Sequence, residues 1–216
     1  YEMEDYAFKS EEGQALLDTV EDLNLKIIGI AENGIRHFAN NKRPINAPSD
    51  LNGLVLRVVP SNMLKSSMEL LGANPTPLAY GEIYTALQNK VIDGTEINIT
   101  SLYAMKFYET IKYVSEIGMY PFQSTVTVNL DFWNSLSADD QKIISDGFAL
   151  GSKNVFEKYL PEFEVKAKEA CTEFGVEFNT ISDTTAFKEA VAPVYTDYKS
   201  KDPKIKAFIE LMENYK

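Results

Sequence analysis

Cysteine, histidine and long apolar runs are what this sequence has least of. The single cysteine, Cys171, in 216 residues excludes an internal disulfide and the usual thiolate metal sites. It sits in an apolar-flanked helical stretch and reads as a small core residue. The lone histidine, His37, has neither a cysteine nor a serine motif beside it and is expected to be solvated. G-x-S-x-G, P-loop, G-x-G-x-x-G and metal-ligand spacings are all missing, so catalysis has little to stand on. No apolar run approaches the ~20 residues of a bilayer span. The acidic opening Tyr1-Glu-Met-Glu-Asp-Tyr6 lacks the apolar centre of a signal peptide, as a mature form or a fragment would. Bases are also scarce, 21 against 32 acids for a net charge of −11, which makes nucleic acid and anionic membranes poor partners. Screening over ~8 Å confines that penalty, so local arginines can still hold an anion inside a cleft.

What is present is ordinary globular content, 44% hydrophobic residues, in a chain long enough for one large domain or two small lobes. Residues 50–98 organise it. An apolar run at 54–59 carries one charge, Arg57, in its middle. Pro60 stops the run, and Ser61 can cap a helix whose face is Met63, Leu64, Ser67, Met68 and Leu71, closed by Gly72. An extended piece at 74–80 and a helix at 82–90 follow. This strand–helix–strand–helix order predicts an α/β fold with a parallel sheet. Ligands then sit outside the carboxyl ends of strands, where Arg57 and Tyr80 lie.

Five motifs fall in register here: Gly53-Leu-Val-Leu-Arg-Val58, Gly72-Ala-Asn-Pro-Thr-Pro77, Gly81-Glu-Ile-Tyr-Thr-Ala-Leu-Gln88, Val91-Ile-Asp-Gly94 with Glu96, and Lys106-Phe-Tyr-Glu109. Together they resemble the solute-binding proteins of tripartite ATP-independent periplasmic (TRAP) transporters, the DctP-like family, with looser likeness from about Tyr6 to the C-terminus. The resemblance implies a two-lobed periplasmic binding protein-like fold with mixed, mainly parallel sheets and a long lobe-spanning helix. It implies a remainder of lobe I at 1–33 and lobe II at 34–122. A return to lobe I at 123–165 then starts the long helix, and 166–216 holds its end, lobe II and C-terminal helices. Because the family's first lobe opens with further βα units, the chain is expected to be a fragment. If residues 1–216 were the whole polypeptide, an exposed sheet edge should drive self-association.

Elsewhere, residues 1–8 are expected to be extended. Ser10 can cap a helix with the stripe Leu16, Leu17, Val20 and Leu23, before a buried strand at 25–30. Residues 40–49 hold two prolines and read as a surface connection. A helix at 100–108 and strands at 112–117 and 123–129 follow. A short helical turn at 131–136 should bury Trp133. Ser137 should then cap a helix over 138–174, with Ile143, Ile144, Phe148, Phe156, Tyr159 and Phe163 as its apolar face, a kink at Pro161 and an end at Gly175. A strand at 176–179 precedes helices at 184–200 and 203–214.

A guanidinium inside an apolar strand is costly unless something anionic answers it. From the residues alone, Arg57 can face water at an edge, pair with Glu96 or Glu82, or serve a ligand. The resemblance implies that Arg57 forms a two-pronged salt bridge to a ligand carboxylate, a geometry lysine cannot match. Arg36, in the family's G-x-R, would lie near the carboxylate or orient the pocket, and Tyr80 would pack on the ligand. The Asp93-Gly94 turn can present Glu96 inward, to anchor the arginines more than the ligand. Many sugar-acid-binding members carry asparagine where this chain has Ile97. A less oxygenated organic acid is therefore expected, with Asn98 able to substitute in part and Gln123 reaching the cleft.

The expected function is thus an extracytoplasmic solute-binding component of a TRAP-type transporter, working by equilibrium binding and hinge closure. It would be periplasmic, or lipid-anchored in a Gram-positive source. It would partner a small organic acid and the transporter's membrane subunits, need no cofactor, and perform no covalent chemistry. The alternatives are a ligand-responsive sensor on the same fold, or a hydrolase using Asp93, Glu96 or Glu82.

Overall fold

The computed structural model describes the backbone of residues 2–215 and side chains from Tyr6 onward. The chain divides into two compact units. The first runs up to Glu32, resumes over Gln123–Leu160 and takes the chain from Tyr195 on; the second holds Asn33–Phe122 and Pro161–Val194.

In chain order the elements begin with helices α1 (Glu2–Lys9) and α2 (Glu11–Leu17) and strands β1 (Leu25–Ile35) and β2 (His37–Asn40). Next come β3 (Val55–Val58), α3 (Asn62–Leu70), β4 (Asn74–Pro77), α4 (Ile83–Gln88), β5 (Gly94–Ile97), α5 (Ile99–Ala104) and β6 (Tyr113–Glu116). Strand β7 (Pro121–Asn129) precedes α6 (Leu130–Ser135), α7 (Ala138–Asn154), α8 (Leu160–Phe174), β8 (Glu177–Thr180), α9 (Thr185–Lys201) and α10 (Pro203–Glu213).

The second unit is a six-stranded mixed sheet in the order β4-β3-β5-β2-β6-β8. Strand β3 runs parallel to β4 and β5, β2 is antiparallel to β5 and β6, and β6 is parallel to β8. The β3–α3–β4 crossover is the expected βαβ unit. Ser61 caps α3 by accepting from the Leu64 amide, and Gly72 ends it at φ +91°, the left-handed conformation that spares a side chain its Cβ clash. Strand β4 carries Pro75 and Pro77, which a sheet tolerates at its edge, where a missing N–H leaves no gap in the ladder. Alternation along the strands feeds two cores. Phe38, Leu56 and Val58 join one cluster with Leu51, Met68 and Phe187. Ala39, Ile97 and Val114 join the other with Leu102, Phe107 and Cys171.

The first unit contains a two-stranded sheet of β1 and β7, and α10 packs on α1 and α2. Residues 2–9 are helical, not extended. Aromatic contacts pair Tyr6 with Tyr215 and Phe8 with Phe208, at ring distances of 5.1 and 5.8 Å. Ser10 caps α2 as expected, but its stripe does not stay helical: 18–23 tighten into a 3₁₀ turn and Leu23 is exposed. Strand β1 also runs past residue 30 to Ile35 and is only half-buried through most of its length.

Ser137 caps the long helical run as expected. The run is interrupted over Val155–Tyr159 by a π-helical turn, immediately before Leu160-Pro161. A widened turn is one way for a helix to absorb a residue that cannot donate to the ladder. The run belongs to the first unit up to Leu160 and to the second from Pro161. Its expected apolar face is not buried: Ile143 is 69% exposed, and Tyr159, Ile144 and Phe163 are exposed as well. Trp133 is half-buried rather than enclosed. The connection at 40–49 is less superficial than its composition suggests, because Ile45 is fully buried and its amide donates to Ser115 Oγ.

Candidate carboxylate-binding site

The second unit holds a cavity of about 460 Å³ lined by ten residues, among them Arg36, Arg57, Tyr80, Asn98, Thr100 and Phe122. Arg57 leaves β3, and Glu96 and Asn98 come from the end of β5. Arg36 sits between β1 and β2, and its backbone exchanges hydrogen bonds with Met119 and Tyr120. Parallel pairing of β3 with β5 brings their carboxyl ends together, so the lone charge of the β3 run meets the acid of β5.

Both guanidinium groups are 2% exposed and Glu96 is fully buried. Glu96 Oε2 lies 3.0 Å from Arg36 Nε and accepts from Tyr120 Oη at 2.8 Å. Glu96 Oε1 accepts from the Val59 amide at 3.2 Å and lies 3.7 Å from Arg57 Nη1. Arg57 donates through Nε to Leu78 O at 2.9 Å. Arg36 donates through Nη1 to Asn98 Oδ1 at 3.2 Å and stacks on Phe122, 3.8 Å from the ring centre. Two buried donors, Arg36 Nε and Arg57 Nη1, make no hydrogen bond, despite their proximity to Glu96.

Two guanidinium charges therefore face one carboxylate. Burial pulls the Arg57 guanidinium below the ordinary arginine range, against the opposing pull of Glu96. Its starting value is so high that it stays charged. Burial, then the Glu96 charge, pushes the Tyr120 phenol up, so Tyr120 is a neutral donor. The trio carries one uncompensated positive charge, and Arg57 Nη1, 3.7 Å from the nearest Glu96 oxygen, keeps an unspent N–H that a ligand carboxylate would satisfy.

The other site expectations divide. Tyr80 lines the cavity and is exposed, its ring edge-on to Phe107 at 6.1 Å. Asn98 lines it too, but its amide is spent: Nδ2 donates to Asn33 O and Thr100 Oγ1, and Oδ1 accepts from Arg36. Ile97 does not face the cavity. It is 1% exposed within the core cluster of Ile92 and Leu102, on the sheet face opposite Glu96. The inference of a poorly oxygenated ligand from Ile97 therefore loses its premise. Gln123 lines a different cavity, within the first unit. Residues not singled out from the sequence are Tyr120, Phe122, Val59 and Thr100. No strand alternation reaches Thr100, which lies in the first turn of α5 and is met there by Asn98 Nδ2.

The carboxylates considered for hydrolysis have structural partners. Asp93 accepts from the Val55 amide and lies 3.1 Å from Lys42, and Glu82 accepts from the Ala79 amide. His37 is half-buried, not solvated, and its Nδ1 accepts from the Gly118 amide at 3.2 Å. Cys171 is buried, and burial pushes its thiol up to about 11.

The model of the bacterial extracellular solute-binding proteins, family 7 (DctP), matches residues 2–202. The chain belongs to this family. Among DctP-family relatives, the 2,3-diketo-L-gulonate-binding periplasmic protein YiaO of Escherichia coli is 31% identical over 191 residues, which are 88% of this chain and 58% of that protein. A TRAP periplasmic solute-binding protein from Anaerococcus prevotii, solved with D-glucuronate, superposes with a TM-score of 0.87 at 30% identity, covering 99% of this chain and 70% of its own. One from Desulfovibrio salexigens, solved with orotic acid, gives 0.89 at 30% identity, covering 98% and 68%. The chain spans less than two thirds of the length of the curated relatives it matches, 58% for the E. coli protein. Among the described residues, no helix is long and apolar enough to cross a membrane, and no group of three His, Cys, Asp or Glu side chains could hold a metal ion.

Proposed function

We propose that this DctP-family chain is the extracytoplasmic solute-binding component of a TRAP-type transporter and takes up a small organic acid. The ligand carboxylate sits on the Nη end of Arg57, within reach of Arg36, and the rest of the molecule lies along Tyr80, Thr100 and Ser101. One observation carries this reading. The Arg36–Glu96–Arg57 trio is buried with one positive charge in excess, and Arg57 Nη1 makes no hydrogen bond. An unpaired buried donor costs ~1–3 kcal/mol, and an entering carboxylate relieves that cost. The protein binds and releases without changing its ligand, since the carboxylates in and beside the cavity are engaged by backbone amides, Tyr120 and basic side chains. Its working partners are the membrane subunits of the transporter, reached in the periplasm.

Acids bound by structural relatives, D-glucuronate, D-galacturonate, orotate and succinate, supply the test panel, with pantoate added from density interpreted as that acid in a further relative. Titration calorimetry on the chain is expected to show saturable 1:1 binding of at least one of them, with no product detected by mass spectrometry. Failure of every acid to bind, or turnover of one, would overturn the reading.

A further inference from the structure

Glu96 is the pivot of the trio, and its two oxygens are not shared evenly between the arginines. Oε2 receives Tyr120 Oη at 2.8 Å and lies 3.0 Å from Arg36 Nε. Oε1 receives the Val59 amide and stays 3.7 Å from Arg57 Nη1, beyond hydrogen-bond range. Without the phenol, a buried carboxylate with a free lone pair beside a second guanidinium would be drawn into a fork-to-fork pair with Arg57. That pair would consume the donors the ligand needs. Tyr120 is held for this task by its own backbone, since its carbonyl accepts from the Arg36 amide at 2.9 Å, while the adjacent Met119 amide donates to Arg36 O.

We propose that Tyr120 is a positioning residue for ligand binding: it ties Glu96 back toward Arg36 and so keeps the Nη end of Arg57 unspent for the ligand carboxylate. This rests on the carboxylate reading above. Tyr120 need not touch the ligand, and is not among the residues that line the cavity.

The test is a double-mutant cycle of Tyr120→Phe with Glu96→Gln, read by calorimetry with the tightest-binding acid of the panel above. Tyr120→Phe keeps the ring and removes only the hydroxyl. It is expected to weaken binding about tenfold, a loss of ~1.4 kcal/mol. In the Glu96→Gln background, where the competing charge is gone, the same change should cost less than twofold. A loss below twofold in the parent background, or an equal loss in both, would overturn the proposal. Guanidinium nitrogen NMR of the ligand-free proteins gives a second readout. Tyr120→Phe should shift the Arg57 Nη resonances as Glu96 closes on them, and unchanged resonances would overturn the positioning role. If no acid binds the parent protein, the carboxylate reading fails, and the NMR comparison still decides what Tyr120 does to Glu96.

Discussion

The two units of this chain solve the burial problem to very different degrees. The second unit encloses two clusters of twelve buried residues each around a six-stranded sheet. Among the described residues of the first unit, whose sheet has two strands, Ala7 is the one buried hydrophobic residue, and Ile143, Leu150 and Phe132 stand exposed. A two-stranded ribbon has too little area to bury its own faces. Two buried arginines can be held in register only by a frame that does not yield, and the cavity that holds them is built entirely on the second unit. Stability and site rigidity should therefore both trace to residues 33–122 and 161–194.

Truncation of side chains would break this comparison most sharply. Phe107→Ala empties a fully buried position and should cost ~3–5 kcal/mol in urea unfolding. Leu150→Ala, 63% exposed, should stay within ~0.5 kcal/mol. Comparable losses would mean that the first unit holds a core of its own. Glycines sharpen the contrast at smaller scale. A Cβ on Gly94 would lie 2.2 Å from Ala39 O, backbone of the neighbouring strand, whereas one on Gly147 meets nothing within 4 Å. Gly94→Ala should destabilise by ~1–3 kcal/mol, through strain between β2 and β5. Gly147→Ala should stabilise α7 by ~0.5–1 kcal/mol. Paired melting curves would show opposite signs, and equal signs would contradict the packing difference.

The smallest effect concerns His37. Burial lowers its pKa, Glu116 opposes that shift and Lys168 adds to it. The unfolded chain takes up the proton first as pH falls through about 6.5, so the native state loses stability below that value until His37 itself protonates. At neutral pH the contribution is fully present. Between pH 7.5 and 5.5 the parent protein should lose more stability than His37→Gln in urea titrations. Equal losses would show that the Gly118 amide does not depend on a neutral ring.

Local patterns made the second unit legible. The apolar run with Pro60 and Ser61 after it, the Gly72 stop and the β-branched strands each specify their own geometry, and the βαβ reading followed. Family likeness carried Arg36, Arg57, Tyr80 and Glu96 to the neighbourhood of one cavity or its supporting carboxylate. Pairing of Arg57 with Glu96, open from the residues alone, coexists with an unspent Nη1. The place of Ile97 is legible in the strand itself: neighbouring residues face opposite ways, so the position beside Glu96 turns away from the arginines. The helix at 2–9 was hidden, because its aromatics are met by Phe208 and Tyr215 from the far end of the chain. The exposed face of α7 was illegible for the same reason, since periodicity marks an apolar stripe without saying what covers it. Tyr120 leaves no local signal, because its hydroxyl meets Glu96 across 24 residues.

Arg57 carries the central claim, and one calorimetric comparison bears on it most directly. The acid of the panel that binds best is titrated against the parent protein and Arg57→Lys, and its methyl ester against the parent. Loss of the two-pronged guanidinium contact should weaken the acid by about one to two orders of magnitude, on the scale of one charged hydrogen bond of ~1.5–3 kcal/mol, and the ester should bind as weakly. Unchanged affinity in Arg57→Lys, or an ester that binds as well as the acid, would contradict a carboxylate held on Arg57.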